Sequence, residues 1–223
     1  MNNLERLIYL FGPEKIEKLK AAKVAVVGLG GVGGIAALAL ARSGVGTLVL
    51  QDFDLVQESN INRQILANYQ TLGRKKVEVC HEEVLKVNPE CRIIALDERY
   101  NEESSLFQND FSYLIDAIDA VEDKFLLMKT CLEREINFIS AMGAAKKLDP
   151  TKMAVMEIKK TTYDPLAKII RRKLREENMT NPVMVVSSTE EVQKIPQLGS
   201  YMGVTATAGL LLADYIIKKI IGG

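Results

Sequence analysis

The sequence predicts an α/β fold, a mixed but mainly parallel sheet with helices on both faces, and three observations predict it. Residues 23–33 (KVAVVGLGGVG) join a continuous apolar run, Val24 to Val27, directly to a glycine turn and then to an alanine- and leucine-rich stretch from Ala36 to Ala41. A largely β-branched run suits a central parallel strand covered on both faces, and the alanines and leucines behind it are strong helix formers. Residues 47–51 (TLVLQ) follow after a short return at Ser43-Gly44 and Gly46, so strand, helix and strand close a complete βαβ unit. Beyond it, apolar runs at 91–96, 113–115 and 137–140 alternate with helical patterns at 73–87 and 121–134. That alternation makes the fold Rossmann-like.

The remaining elements follow from local signals. Leu4, Leu7, Ile8 and Phe11 stand at helical spacing, and Gly12-Pro13 separates that helix from a second one through Leu19; residues 1–21 are therefore leading helices outside the βαβ core. Asn88-Pro89 stops the helix at 73–87, and residues 102–107 read as a short helix. The connection through Asp149-Pro150 into 153–158 has no room for a helix, which predicts a strand antiparallel to its neighbour and a mixed sheet. Asp164-Pro165 opens a strongly basic helix to Glu177, residues 182–187 are a further strand, and residues 188–200 are a polar connection. The stretch 159–200 is the expected substrate and crossover segment, and 201–221 the closing helix. Threonines, Asp214, Lys218 and Lys219 interrupt that last helix, which makes it a buried or dimer-facing helix rather than a membrane span. At 223 residues and 24.8 kDa, the whole of 1–223 is expected to form one domain.

Composition excludes several classes. Twenty-nine Lys and Arg balance twenty-nine Asp and Glu, so any contact with nucleic acid must rest on a local basic patch. Cys80, Cys91 and Cys131 form no C-x-x-C pair, which argues against a zinc site or a disulfide framework. Glu5 and Arg6 interrupt the leading MNNLERLIYL, which lacks the apolar core of a signal peptide, and a cytoplasmic protein is expected. Gly222-Gly223 resembles a ubiquitin-like tail, but after Ile220 and Ile221 it reads as a helix terminus.

The glycine turn carries the chemistry. Gly28, Gly30, Gly31 and Gly33 let backbone amides approach a phosphate, and the positive end of the following helix favours an anion, so the ligand is a nucleotide. Asp52, at the carboxyl end of the second strand, is placed to accept hydrogen bonds from ribose hydroxyls, and Asp54 is assigned to the same site. Asn60, Asn62, Arg63 and Gln64 follow in a polar loop, with Lys75 and Lys76 beyond. Cations at that edge neutralise more phosphate charge than a bridged pyrophosphate carries, which favours ATP over NAD. Asp119, after the fourth strand, is the candidate Mg²⁺ ligand, with Asp116 as its rival.

With these residues in hand the chain resembles a known family over nearly its whole length. GLGGVG, the run DFDLVxxSNINRQ at 52–64, Lys76 and DAIDA at 116–120 resemble the adenylating enzymes related to the ubiquitin-activating, thiamine- and molybdopterin-sulfur proteins. The resemblance implies that Asp52 holds ribose, that Asn60, Arg63 and Lys76 contact the phosphates, and that Asp119 binds magnesium. It also implies a homodimer, in which Arg6 corresponds to an arginine that reaches the partner's active site. The C-x-x-C zinc pairs and the catalytic cysteine of relatives acting on ubiquitin-like C-termini are missing, so thioester chemistry is not expected. Cys80 and Cys131 read as small core residues, and His81 as a helical residue without a catalytic role. DPLA at 164–167, followed by KIIRRKLRE, is similar instead to the branch of tRNA threonylcarbamoyladenosine dehydratases. In that branch ATP activates a threonyl carboxylate on a modified adenosine in tRNA, and the neighbouring carbamoyl oxygen closes a ring as AMP leaves. Lys159, Lys160, Lys168, Arg171, Arg172, Lys173 and Arg175 concentrate positive charge, read either as a solvated helix face or as a phosphate-tracking patch in which Lys168, Arg171, Arg172 and Arg175 bind nucleic acid. Two alternatives remain open: adenylation of a sulfur-carrier protein's C-terminus, with a sulfur-transfer partner, and a nucleotide-binding module without catalysis.

Overall fold

The computed structural model describes residues 3–222. Two leading helices, α1 (Glu5–Phe11) and α2 (Pro13–Ala21), precede β1 (Lys23–Val27), α3 (Gly33–Arg42) and β2 (Thr47–Gln51). Then come α4 (Lys76–Val87), β3 (Arg92–Leu96), β4 (Tyr113–Asp116), α5 (Val121–Glu133), β5 (Asn137–Ala141), β6 (Met153–Glu157), α6 (Pro165–Glu176), β7 (Met184–Ser188) and α7 (Met202–Ile221).

The strands form one seven-stranded sheet in the order β3-β2-β1-β4-β5-β7-β6. Every pairing is parallel except β6 with β7, where Met153 faces Ser188 and Glu157 faces Met184. The expected antiparallel strand is thus present, and its partner is β7, which inserts between β5 and β6. Strand order reverses between β1 and β4, and an α/β sheet opens its ligand crevice at the carboxyl ends of the strands on either side of such a reversal.

Alternation along β1 divides the core. Val24 and Val26 pack with α2, α3, α4 and α7 on one face, while Ala25 and Val27 face Leu114, Leu127 and Cys131 on the other. A third cluster, built from Met128, Ile170, Leu174 and Val185, seats α6 beside α5. Burying each such aliphatic side chain contributes on the order of 1.5–3 kcal/mol. The closing helix packs against α3 so tightly that a Cβ on Gly209 would lie 2.4 Å from the Val32 carbonyl oxygen. Among the described residues no helix is long and apolar enough to cross a membrane.

Two helices differ from the sequence reading, while the closing terminus agrees with it. The helix expected from residue 73 starts at Lys76, because Gly73 adopts φ +77° and Lys75 pairs with Leu55 as an extended bridge. The Val56 amide donates to the Arg74 carbonyl and the Lys76 amide to the Asp54 carbonyl, so those groups serve the nucleotide loop instead of a helical turn. In place of a helix at 102–107 stands a single 3-10 turn, Ser105–Gln108, capped where the Ser104 hydroxyl accepts from the Leu106 amide. Gly222, at φ +82°, ends α7 in a left-handed cap, while Gly223 lies outside the described residues.

Candidate active site

The glycine turn sits where β1 ends. The Gly28 amide donates to the Gln51 carbonyl at 2.8 Å, which holds the turn against β2. Gly28 adopts φ +88°, and a Cβ there would lie 2.7 Å from the Ala117 carbonyl oxygen; a Cβ on Gly33 would lie 1.8 Å from the Gly28 oxygen. Both positions admit only glycine without moving backbone. Gly31 packs against the Arg63 carbonyl, whereas Gly30 meets nothing closer than Gln64 Nε2 at 3.7 Å. No side chain caps the first turn of α3, whose positive end is left for an anion.

Asp52 ties this turn to the next loop. Its Oδ2 accepts from the Leu29 amide at 2.6 Å and its Oδ1 from the Asp54 amide at 2.8 Å. Burial raises the Asp52 carboxyl above its ordinary value, opposed by the Lys76 ammonium and by these two donors. Each oxygen keeps a lone pair for a ribose hydroxyl. Asn60 closes a reciprocal cap with Gln57, whose amide donates to Asn60 Oδ1 at 3.1 Å; Asn60 Nδ2 makes no hydrogen bond among the described residues. Arg63 Nη1 donates to the Ser59 carbonyl at 2.7 Å and to Asn62 Oδ1 at 3.0 Å, which holds the guanidinium against its own loop. Lys76, the first residue of α4, is buried, and its ammonium lies 2.6 Å from Asp54 Oδ2. Asp54 is half exposed, so incoming phosphate can take over its partner.

Of the two rival aspartates, the structure disqualifies Asp116. Fully buried, it pairs with Lys124 at 2.6 Å, receives the Ser140 hydroxyl at 2.5 Å, and accepts from the Ile118 amide at 3.0 Å. Its Ile118 bond shapes the turn that presents Asp119, which is exposed and makes no hydrogen bond or ion pair among the described residues. No ready cluster of metal-binding side chains exists among the described residues. A lone free carboxylate fits Mg²⁺, which keeps water and takes substrate phosphate oxygens alongside one or two carboxylates.

Two groups of expected site residues stand apart. Arg6 is exposed on α1, at the amino edge of the sheet: Leu4 packs on Gly44 and Asn3 donates to the Val87 carbonyl, both just before strands. Within one chain it is not brought to the glycine turn. On α6, Asp164 caps the helix by accepting from the Ala167 amide at 3.0 Å, and it anchors to the Gly143 amide and the Ser187 hydroxyl at 2.9 Å. The helix therefore starts at the carboxyl edge. Lys168, Arg172 and Arg175 share its exposed face at i, i+4 and i+7 spacing. Arg171 does not join them, because its Nη1 donates to the carbonyls of Thr161 at 2.7 Å and Ile158 at 3.3 Å, and to the Thr161 hydroxyl.

Sequence reasoning missed Lys147 and Glu190. The buried Lys147 ammonium donates to the carbonyls of Tyr163, at 3.1 Å, and Glu190, and burial lowers its pKa. The Glu190 carboxylate accepts from the Leu148 and Asp149 amides at 2.9 Å, so the pair pins the connection after β7 to the loop after β5. Neither motif nor spacing marks such a pair, since the partners stand 43 residues apart. A cavity of about 550 Å³ beside the first turn of α5, lined in part by Glu102, Glu122, Asp123 and Lys129, includes none of the nucleotide-loop residues.

These features define an α/β protein with a glycine turn at the carboxyl edge of its sheet, flanked by two cations, Arg63 from the following loop and Lys76 from the start of α4. The chain belongs to the ThiF family, whose sequence model matches residues 3–223. It is 48% identical over 156 residues to a tRNA threonylcarbamoyladenosine dehydratase of Bacillus subtilis, covering 69% of this chain and 61% of that protein. With the enzyme of the same name from Haemophilus influenzae it shares 33% identity over 207 residues, covering 82% of this chain and 79% of the other. The crystal structure of E. coli tRNA N6-threonylcarbamoyladenosine dehydratase in complex with ATP superimposes with a TM-score of 0.93 at 35% identity, covering 99% of this chain and 94% of that one. The aligned stretch thus spans about three fifths of the B. subtilis relative's length.

Proposed function

We propose that this chain uses ATP and Mg²⁺ to adenylate the carboxylate of the threonylcarbamoyl group on a modified adenosine in tRNA, and that the group then cyclises with loss of AMP. The names of the relatives and the ATP complex of the E. coli protein support this reading. The observation that carries it is a glycine turn flanked by cations and a free carboxylate, with no reactive thiol in the chain. All three cysteines are buried, and burial pushes Cys91 up to about 11 and Cys80 and Cys131 higher still. Thiolate chemistry has no donor here.

The reaction sequence fits that inventory. A carboxylate oxygen of the substrate attacks the α-phosphorus of ATP, and pyrophosphate leaves. The carbamoyl oxygen then attacks the acyl carbon, the acyl–oxygen bond to AMP breaks, and the carbamoyl nitrogen gives up its proton. AMP carries away one carboxylate oxygen, so the nucleoside loses the equivalent of one water. Because nucleophile and electrophile sit in one substrate, effective concentration replaces an enzyme thiol.

In this scheme Gly28, Gly30, Gly31 and Gly33 form the phosphate turn, Asp52 holds ribose, and Asn60, Arg63 and Lys76 meet the phosphates. Asp54 holds the Lys76 ammonium until phosphate replaces it. Asp119 would hold Mg²⁺, which supplies neutralisation of phosphate charge. The functional unit is a homodimer in which Arg6 acts on the partner's site. Lys168 and Arg172 meet tRNA phosphates, while Arg171 steadies the start of α6. Unpaired cysteines suit the reducing cytoplasm, where we place the protein.

The test incubates the protein with ATP, Mg²⁺ and tRNA carrying threonylcarbamoyladenosine and weighs the released nucleoside under mild conditions. Loss of one water, matched by the AMP formed, is expected. An unchanged nucleoside, with AMP formed instead on a carrier-protein C-terminus, would move the assignment to that substrate.

A further inference from the structure

A second cavity, of about 420 Å³, lies at the far end of α6, and Lys159, Arg175, Asn178, Met179, Thr180 and Asn181 are among the residues lining it. Topology fixes its place. Residue 159 follows the end of β6 and residue 181 precedes β7, and these strands run antiparallel with Glu157 beside Met184. The cavity therefore opens at the amino edge of the sheet, whereas the glycine turn and Asp119 stand at the carboxyl edge. The Ile158 amide, donating to the Val183 carbonyl at 2.9 Å, fixes its floor to that edge.

Beside the apolar Ile158, Leu174 and Met179, the lining carries groups suited to an anion and a hydroxyl. The side chains of Arg175, Asn178, Thr180 and Asn181 make no hydrogen bond among the described residues, and Lys159 spends one donor on the Thr180 carbonyl at 3.2 Å. Of the acids near it, Glu176 pairs with Arg172 and Glu177 with Lys129, while Glu157, which ends β6, makes no ion pair among the described residues, so the two lining cations outnumber it. Lys160, exposed next to Lys159, adds uncompensated charge. Two amides and a hydroxyl offer both donors and acceptors, as a ribose 2′-hydroxyl requires, and two cations offer the phosphate contact.

The exposed face of α6 connects this cavity with the reacting edge. Lys168, Arg172 and Arg175 descend one helix face from the Asp164 cap toward the cavity, along a helix of 12 residues. That helix is about 18 Å long at 1.5 Å per residue. We infer that the cavity takes a phosphate–ribose unit of the substrate tRNA's stem, remote from the modified adenosine, with the RNA backbone lying along α6. The inference rests on the tRNA reading above and adds to it a second anchoring site on the opposite edge of the sheet.

The test compares wild type with the double variant Lys159→Ala, Arg175→Ala, measuring affinity by fluorescence anisotropy for full-length tRNA and for an anticodon-loop oligonucleotide without its stem. The variant should bind full-length tRNA about tenfold or more weakly, with a log–log salt slope shallower by about 1 to 2. The stemless oligonucleotide should bind both proteins equally, and ATP affinity and melting temperature should not move. Arg175→Lys should recover part of the loss. If the variant binds full-length tRNA as wild type does, the cavity is not an RNA site, while the dehydratase reading stands. Equal weakening on the stemless oligonucleotide would overturn the remote placement. If wild type binds no tRNA at all, the tRNA reading itself fails and the inference falls with it.

Discussion

Lys124→Met is the most informative perturbation of the scaffold behind the site. Lys124 and Asp116 are both fully buried, 2.6 Å apart, and the ammonium also lies 3.0 Å from the Ser140 hydroxyl. Methionine keeps most of the volume but leaves Asp116 as a buried charge without its cation, a loss of roughly 3–5 kcal/mol. For a chain of this size that lowers the melting temperature by roughly 6–20 °C. In the double variant Asp116→Leu, Lys124→Met the stranded charge is gone, and part of the stability should return. What remains missing are the bond from the part-buried Ile118 amide at 3.0 Å and both partners of the fully buried Ser140 hydroxyl, which keeps only the Ala141 carbonyl at 3.5 Å; each group left unsatisfied costs about 1–3 kcal/mol. Urea denaturation followed by circular dichroism reads both quantities, provided the slopes agree among the proteins. The double variant should still lose activity, because the Asp116–Ile118 bond shapes the turn that presents Asp119. A single variant as stable as wild type, or a double variant no better than the single, would refute this account of the pair.

Three further outcomes follow from the site. Arg63→Ala should weaken ATP binding by on the order of 2 kcal/mol, roughly 30-fold, while AMP, lacking the distal phosphates, loses far less; calorimetry showing equal losses for both would place Arg63 elsewhere. Burial holds the Asp52 carboxyl above its ordinary value of 3.8, so the folded protein binds that proton more tightly than the unfolded chain. Its ionised form costs stability above the folded pKa, and that cost fades as the pH falls through it. ATP affinity, which needs the ionised acceptor, should decline on acidification in a window above the ordinary aspartate range, and Asp52→Asn should bind weakly and decline less steeply, keeping only the slope due to protonation of ATP itself; a decline as steep as wild type in the variant would contradict this. Mixing Arg6→Ala with Asp119→Ala subunits should restore activity after subunit exchange, since one site per mixed dimer is then intact. Persistent inactivity would exclude action across the interface.

Much of the fold was legible because its strands are apolar runs bounded by glycine: the second strand lies at 47–51, as the TLVLQ run required. The fourth and fifth strands each run one residue further than the pattern showed, to Asp116 and Ala141. Asp116 looks like a strand end only until Lys124, from α5, neutralises it. For the same reason the sequence left Asp116 and Asp119 as rivals, since the deciding partners come from α5 and β5. Start of α4 was hidden by a tertiary competitor, the Leu55–Lys75 bridge, which overrides the helix propensity of Lys75. Charge counting placed Arg171 with its basic neighbours, but helical phase turns it toward the carbonyls at 158 and 161. The Lys147–Glu190 pair and the cavity at the far end of α6 join residues distant in sequence, and periodicity does not report on such contacts.

The central claim is that the carboxylate of the substrate becomes an acyl adenylate, and oxygen transfer tests it directly. Substrate tRNA is prepared with heavy oxygen in both positions of the threonyl carboxylate and turned over once with unlabelled ATP and Mg²⁺. Mass spectrometry should then find one heavy oxygen in the phosphate of AMP and one retained in the cyclised nucleoside. Heavy oxygen in inorganic phosphate or pyrophosphate, with none in AMP, would contradict adenylation.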